Sequence, residues 1–308
     1  MATAISSRTM LPGKALAIVC AAEFFAPLFL GTAVANIVGK GILDINRLGI
    51  ETYKVSMIMI FSALIGSILW NLFTWRIGLP SSSSHALIGA LVGSGIMMFG
   101  FDMVNWGNFF WKVIAMLLIT PIIGFFVGFI LIKLIKMAVD RCSCTINSFF
   151  KTVQILGMVF LASSHGTNDA QKSMGVIALI MLVADTNGKF AVPKWAMVAS
   201  ALAISTGLSL GGWTIVKTVG TKIFKVKPIH SFNSQLSAAL VIMTAGLFGG
   251  PVSTSQIVSS SIMGTGAGER MNGVNWGMVK EIMVSWAVTI PSAAVLSAAI
   301  CGILKLVA

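Results

Sequence analysis

Ten apolar runs punctuate this chain, at residues 15–38, 54–75, 85–99, 110–137, 148–162, 174–184, 194–216, 234–249, 256–264 and 278–306. A helix needs about twenty apolar residues to cross the hydrocarbon core of a bilayer, and the longer runs reach that length. Only 10% of the residues are charged and 56% are hydrophobic, whereas a soluble domain carries about a quarter charged residues. The expected fold is an all-α polytopic membrane protein, crossing a membrane several times. The runs at 85–99, 174–184 and 256–264 are short and flanked by polar residues, so they read as broken or re-entrant pieces. The first forty residues resemble a signal peptide, with Arg8 and Lys14 before an apolar run and Ala33-Val34-Ala35 as a cleavage-like triplet. That run is too long and contains Glu23, and the repeat described next assigns it to a membrane helix.

Internal similarity divides the chain in two. Val104-Asn105-Trp106-Gly107 recurs as Val274-Asn275-Trp276-Gly277, and each copy is followed by a proline within an apolar run, Pro121 and Pro291. Upstream, LPSSSSHALIG from Leu79 pairs with GPVSTSQIVSS from Gly250. Pro12-Gly13-Lys14-Ala15 pairs with Pro193-Lys194-Trp195-Ala196, and Gly31 and Gly39 pair with Gly212 and Gly220. The matches keep their order, which implies a first repeat over 1–137, a basic connecting loop over 138–147 and a second repeat over 148–308. Repeats of this kind mark secondary transporters, whose site forms where the halves meet; inverted topology is inferred. Repeat spacing also places the first-half partner of GTNDAQKSMG before Met1.

The net charge of +12 comes from 21 Lys and Arg against 9 Asp and Glu. Because the basic residues lie mostly between apolar runs, topology and an anionic lipid surface account for them better than nucleic acid does. A cationic path for an anionic substrate is a second reading of the same excess. Lys133, Lys136, Arg141 and Lys151 put the central loop in the cytoplasm by the positive-inside rule, with Lys217, Lys222, Lys225 and Lys227 competing for that side. Cys20 and Cys301 lie in apolar runs, and Cys142 and Cys144 lack the partners of a zinc set, so all four read as ordinary thiols.

The chemistry concentrates in Ser163–Gly175, SSHGTNDAQKSMG, set between apolar runs. Ionisable groups at membrane depth are costly and mark function, and the glycines suit a broken helix lining a cavity. Asp169 suits a proton or a sodium ion as coupling cation, with Lys172 one helical turn on, either its ion-pair partner or a contact for an anion. Ser81–Ser84 with His85, and Ser253, Thr254 and Ser255 with Gln256, each follow a proline and precede an apolar run. One hydroxyl caps a helix; three or four in a row at equivalent places point further, to a tetrahedral oxyanion held at a helix N-terminus. Glu23, Lys112 and Glu281 read as bundle-facing or interfacial charges, and Glu269 with Arg270 as a solvated loop pair. His230 receives no role.

SHGTNDAQKSMG, PSSSSHALIGALVG and PVSTSQIVSSSIMG resemble signature segments of the inorganic phosphate transporter (PiT) family, over essentially the whole chain. The resemblance implies two inverted-topology repeats with re-entrant hairpins, and cation-coupled transport of inorganic phosphate by alternating access. Bacterial low-affinity members are described as proton-coupled and able to carry phosphate as a neutral divalent-metal complex; distant members use sodium, and some carry sulfate. Carried onto this chain, the substrate contacts are Ser82, Ser83, Ser84, Thr167, Asn168, Ser253, Thr254 and Ser255. Coupling and gating fall to Asp169, Lys172, His85 and Gln171, with Asp169 the candidate sodium ligand. Gln256 replaces a histidine usual in the family. The family's first signature, a His-Asp-Thr-Ala-Asn-like run, is missing, so either translation begins upstream or the chain is a shortened, even non-transporting, member. Expected partners are phosphate and the bilayer, with a homodimer left open and no nucleic acid. A serine hydrolase built on Ser84 and His165 is the competing class, and it leaves the duplication unexplained.

Overall fold

The computed structural model describes residues 1–48, 52–140, 146–184, 190–210 and 213–307. Cys142, Cys144, Arg141 and Gly212, all named above, lie outside them. The described residues are helical and form no strand beyond an isolated Leu43–Val104 bridge. In chain order the helices are α1 (Ala2–Ser6), α2 (Pro12–Phe25), α3 (Ala33–Lys40), α4 (Tyr53–Ile77), α5 (Ser83–Phe99), α6 (Trp106–Asn108) and α7 (Ala115–Val139). There follow α8 (Ile146–Ala184), α9 (Lys194–Ser209), α10 (Trp213–Lys217), α11 (Pro228–Leu247), α12 (Thr254–Glu269) and α13 (Trp276–Val307). A π-helical segment, Phe109–Ile114, joins α6 to α7. By length and composition, α4, the continuous Trp106–Val139 segment, α8 and α13 can each cross a membrane. Large apolar side chains on their outer faces, among them Phe61, Leu72, Phe126, Ile130, Met283 and Val295, are exposed, as a lipid-facing surface requires.

Two runs expected to be single spans are bent. Pro12–Leu28 and Ala33–Lys40 meet at 75°, and Lys194–Ser209 and Trp213–Lys222 meet at 67°. In the first, Gly31 takes φ +83, a left-handed conformation open to glycine and costly for other residues. The opposite correction applies to the polar motif. The run at 174–184 is no separate piece: α8 passes unbroken through Ser163–Gly175 for 39 residues, roughly 58 Å at 1.5 Å per residue. The chain there holds no proline, and the hydroxyls of Ser164 and Thr167 donate back to Phe160 and Ser163 carbonyls at 2.9 and 2.8 Å, so the helical ladder is left intact.

The repeated sequence produces repeated bonds. Asn105 and Asn275 both cap the helix that follows, accepting from the backbone N–H of Asn108 (3.2 Å) and Met278 (3.1 Å). Both tryptophan indoles donate five residues back, Trp106 to Phe101 and Trp276 to Met271. The backbone N–H groups of Asn105 and Asn275 reach Ile42 and Ile223 carbonyls at 2.8 and 2.9 Å. Packing then crosses between the halves. The most extensive helix contacts pair α12 with α7 and α5 with α13, so each short helix lies against a long helix from the other half. One apolar core gathers Val34, Ile42, Met59, Leu91, Met103 and Leu179; another gathers Ile223, Phe224, Ile262, Met263, Ile282 and Trp286.

Candidate functional site

The site is built where α8 runs past the N-termini of α5 and α12. His165, Asp169 and Lys172 sit one turn apart on α8 and share a face. Asp169 Oδ1 lies 2.5 Å from Lys172 Nζ. Its Oδ2 accepts from the Thr254 hydroxyl at 3.1 Å and stands 3.4 Å from His165 Nε2. His165 Nδ1 is in turn 2.8 Å from Oε1 of Glu23 on α2, which is 3% exposed. Each ionised group at mid-membrane costs about 3 kcal/mol on insertion scales, so these groups persist by pairing. With His165 protonated, the two carboxylates and two cations cancel. Gly166 lets α2 approach: a Cβ there would come within 2.8 Å of the Glu23 Cα.

Lys172 also joins the two hairpins. Its ammonium donates to Ser84 Oγ and to the Val252 carbonyl, the latter at 2.8 Å. The hairpins bond each other reciprocally: Ser84 donates to Val252 O at 3.1 Å, and Ser255 donates to Ser81 O at 2.9 Å. In the repeat, Ser84 matches Ser255 and Ser81 matches Val252, so the pair of bonds is the signature of a local two-fold exchange. The remaining hydroxyls have separate tasks. Ser82 and Ser253 cap α5 and α12, accepting from His85 and Gln256 N–H groups. Ser81 pairs with Thr74 at 2.6 Å.

A cavity of about 340 Å³ opens beside this junction, lined by Asp169, Lys172, Ser83, Ser173, Ser67 and Asn71 together with apolar residues of α4, α5 and α8. Of the expected contacts, Ser83, Asp169 and Lys172 line it, and Ser84 and Thr254 hold its charged floor. The others are placed elsewhere. Thr167, Asn168 and Gln171 face the opposite side of α8, where they line a separate space of about 100 Å³ with Ser164, Met243 and Gly246. Gln171 Oε1 caps α3, accepting from Val34 N–H at 2.8 Å. Asn168 Nδ2 reaches the Gly250 carbonyl at 3.5 Å, and its Oδ1 has no partner among the described residues. Ser82 and Ser253 are occupied as caps. His85 is 1% exposed, and neither it nor its counterpart Gln256 lines the cavity.

Sequence reasoning passed over His165 as a linker of charges and left Ser67, Asn71 and Ser173 unremarked. An asparagine inside the apolar run 54–75 was the available signal. The solvated Glu269–Arg270 pair is also corrected: Glu269 bonds Lys136 at 2.9 Å and lies 3.5 Å from His230 Nε2, because the end of α12 packs against α7 and α11 rather than facing solvent. His230 is buried, and its Nδ1 accepts from the Lys227 N–H. Ser84 and His165 are not paired, since the first serves Lys172 and Val252 and the second faces two carboxylates. No nucleophile–base couple is formed there.

These features have counterparts in known proteins. A family described as "Phosphate transporter family" matches residues 1–297. A probable low-affinity inorganic phosphate transporter of Bacillus subtilis is 38% identical over 309 residues, covering 100% of this chain and 91% of the relative. One of Rhizobium meliloti bearing the same description is 38% identical over 300 residues, covering 97% and 87%. A solved structure titled "The sodium-dependent phosphate transporter" superposes with a TM-score of 0.92 at 25% identity, covering 100% of this chain and 94% of that one. A multi-pass membrane protein whose hydroxyl hairpins close on a buried aspartate and lysine, and which aligns with these relatives over nearly all of its own length, belongs to the phosphate transporter family and is a transporter, not an enzyme.

Proposed function

We propose that this chain is a cation-coupled transporter of inorganic phosphate working by alternating access between two inverted repeats. The observation that carries this reading is Lys172, a buried ammonium bonded at once to Asp169 and to both hairpins, at the wall of a cavity large enough for a tetrahedral oxyanion. Asp169 is its counter-ion. Protonation of Asp169 weakens that pair and frees the ammonium for phosphate, so proton and anion enter together. Sodium is disfavoured at Asp169, because both of its oxygens already face donors, Lys172, Thr254 and His165; the same donors hold the carboxylate ionised, so a proton reaches it only as the anion draws Lys172 away. A sodium ion there would lie against a fixed positive charge. The reciprocal Ser84 and Ser255 bonds form a seam about which the halves can rock, consistent with inverted repeats.

The test is uptake of radiolabelled phosphate into proteoliposomes under an imposed pH or sodium gradient. Uptake driven by an inward proton gradient, and lost in Asp169→Asn, is the expected result. Sodium-driven uptake without proton dependence would overturn the assignment of the coupling ion, and absence of uptake from folded protein would overturn the transport reading.

A further inference from the structure

Asn71 stands half-buried in the last two turns of the apolar helix α4, where a carboxamide within a membrane span is costly and marks function. It lies on the same face of α4 as Leu64, Ser67 and Ile68, all four lining the cavity opposite Asp169 and Lys172. Its side chain makes no hydrogen bond among the described residues. Ser67, one turn before it, already spends its proton on the Leu64 carbonyl at 2.9 Å, so it turns only lone pairs to a ligand. The far wall is different in kind: it carries the Lys172 ammonium and its Asp169 counter-ion, with the Ser83 and Ser173 hydroxyls free to donate or accept. The cavity thus sets a paired cation and two hydroxyls on one side against an acceptor and a paired donor–acceptor on the other.

From this we infer that Asn71 is a substrate contact that selects protonated oxyanions. A primary amide offers C=O and N–H side by side, which matches a P–OH next to a P–O⁻ through two parallel hydrogen bonds. Phosphate and arsenate carry such a hydroxyl at neutral pH. Sulfate and monofluorophosphate have the same shape and a comparable charge but only acceptor oxygens, so one amide bond is lost and the Asn71 oxygen is left facing an anion. Sites that hydrogen-bond a ligand hydroxyl reject analogues lacking it far more strongly than apolar pockets reject an extra methylene. The inference rests on the proposed phosphate site and deepens it.

The experiment measures binding and uptake side by side on the full chain. Phosphate binding to purified protein is competed with arsenate, sulfate or monofluorophosphate, for the wild type, for Asn71→Leu, which removes both amide bonds, and for Asn71→Ser as a smaller variant should the leucine disturb folding. We expect arsenate to compete equally in all three. Sulfate and monofluorophosphate should compete poorly in the wild type, and the preference for phosphate over them should fall about tenfold in folded Asn71→Leu, the loss of one hydrogen bond to a charged ligand. Unchanged discrimination in a folded variant that still binds phosphate overturns the inference and leaves the transport reading intact. Selective binding that is lost in the variant, without wild-type uptake in proteoliposomes, upholds the inference and overturns transport. A wild type that binds no phosphate overturns both.

Discussion

Lys172 has two kinds of partner, a carboxylate on its own helix and two groups from the hairpins, and they predict different behaviour in variants. A purely structural ion pair can be replaced by uncharged residues with little loss, whereas removing one member leaves a buried charge at a cost of about 3–5 kcal/mol. Lys172→Met should therefore lower thermal stability markedly, while the double variant Asp169→Asn with Lys172→Met should recover most of it. Uptake separates the roles: the double variant is expected to fold and not transport phosphate. Wild-type transport by that variant would reduce the pair to a structural one. Of this pairing the residues alone showed only half. The spacing from Asp169 to Lys172 is local and legible, but Glu23, Ser84, Val252 and Thr254 arrive from distant parts of the chain, and no short-range pattern announces them.

At the scale of elements, the two short helices behave alike at their starts and differently in what they hold. Ser84 and Ser255 make matching bonds across the seam, and losing either should cost about 1 kcal/mol. Only Ser84 also receives Lys172. Ser84→Ala should thus lower the melting temperature more than Ser255→Ala, since it also strips an acceptor from a buried ammonium, and Ser84→Ala should raise the KM for phosphate uptake more. Equal KM values would remove Ser84 from the site. That one hydroxyl of each cluster caps its helix was visible in advance, because a serine satisfying an N–H three residues on is a local event; the matching asparagine caps at Asn105 and Asn275 were not read. The continuity of α8 was not. Its glycines and polar residues fit a helix break equally well, and what keeps the helix whole is that its hydroxyls bond back to its own backbone and its charges find partners on α2, α5 and α12.

For the molecule as a whole, inverted topology makes a direct prediction. Phe101 and Met271 are matched positions, each accepting the indole N–H of the tryptophan five residues on, and both are exposed. In a background without the four native cysteines, Phe101→Cys and Met271→Cys should be labelled by a membrane-impermeant thiol reagent from opposite faces of the bilayer. Labelling of both from one face would refute inversion. The duplication, the membrane setting and the chemistry of the motifs follow from composition and spacing, because apolar length, capping and internal repetition are written in neighbouring residues. Which of those polar residues meet is another matter. Asn168 and Asp169 are adjacent in the chain, yet they line different spaces beside α8, and Asp169 instead bonds Thr254 and Lys172 and shares a cavity with Asn71. That sorting comes from the crossed packing of α5 on α13 and α12 on α7, which brings both hairpin ends to a single point and lets buried charges pair only with what the fold delivers there.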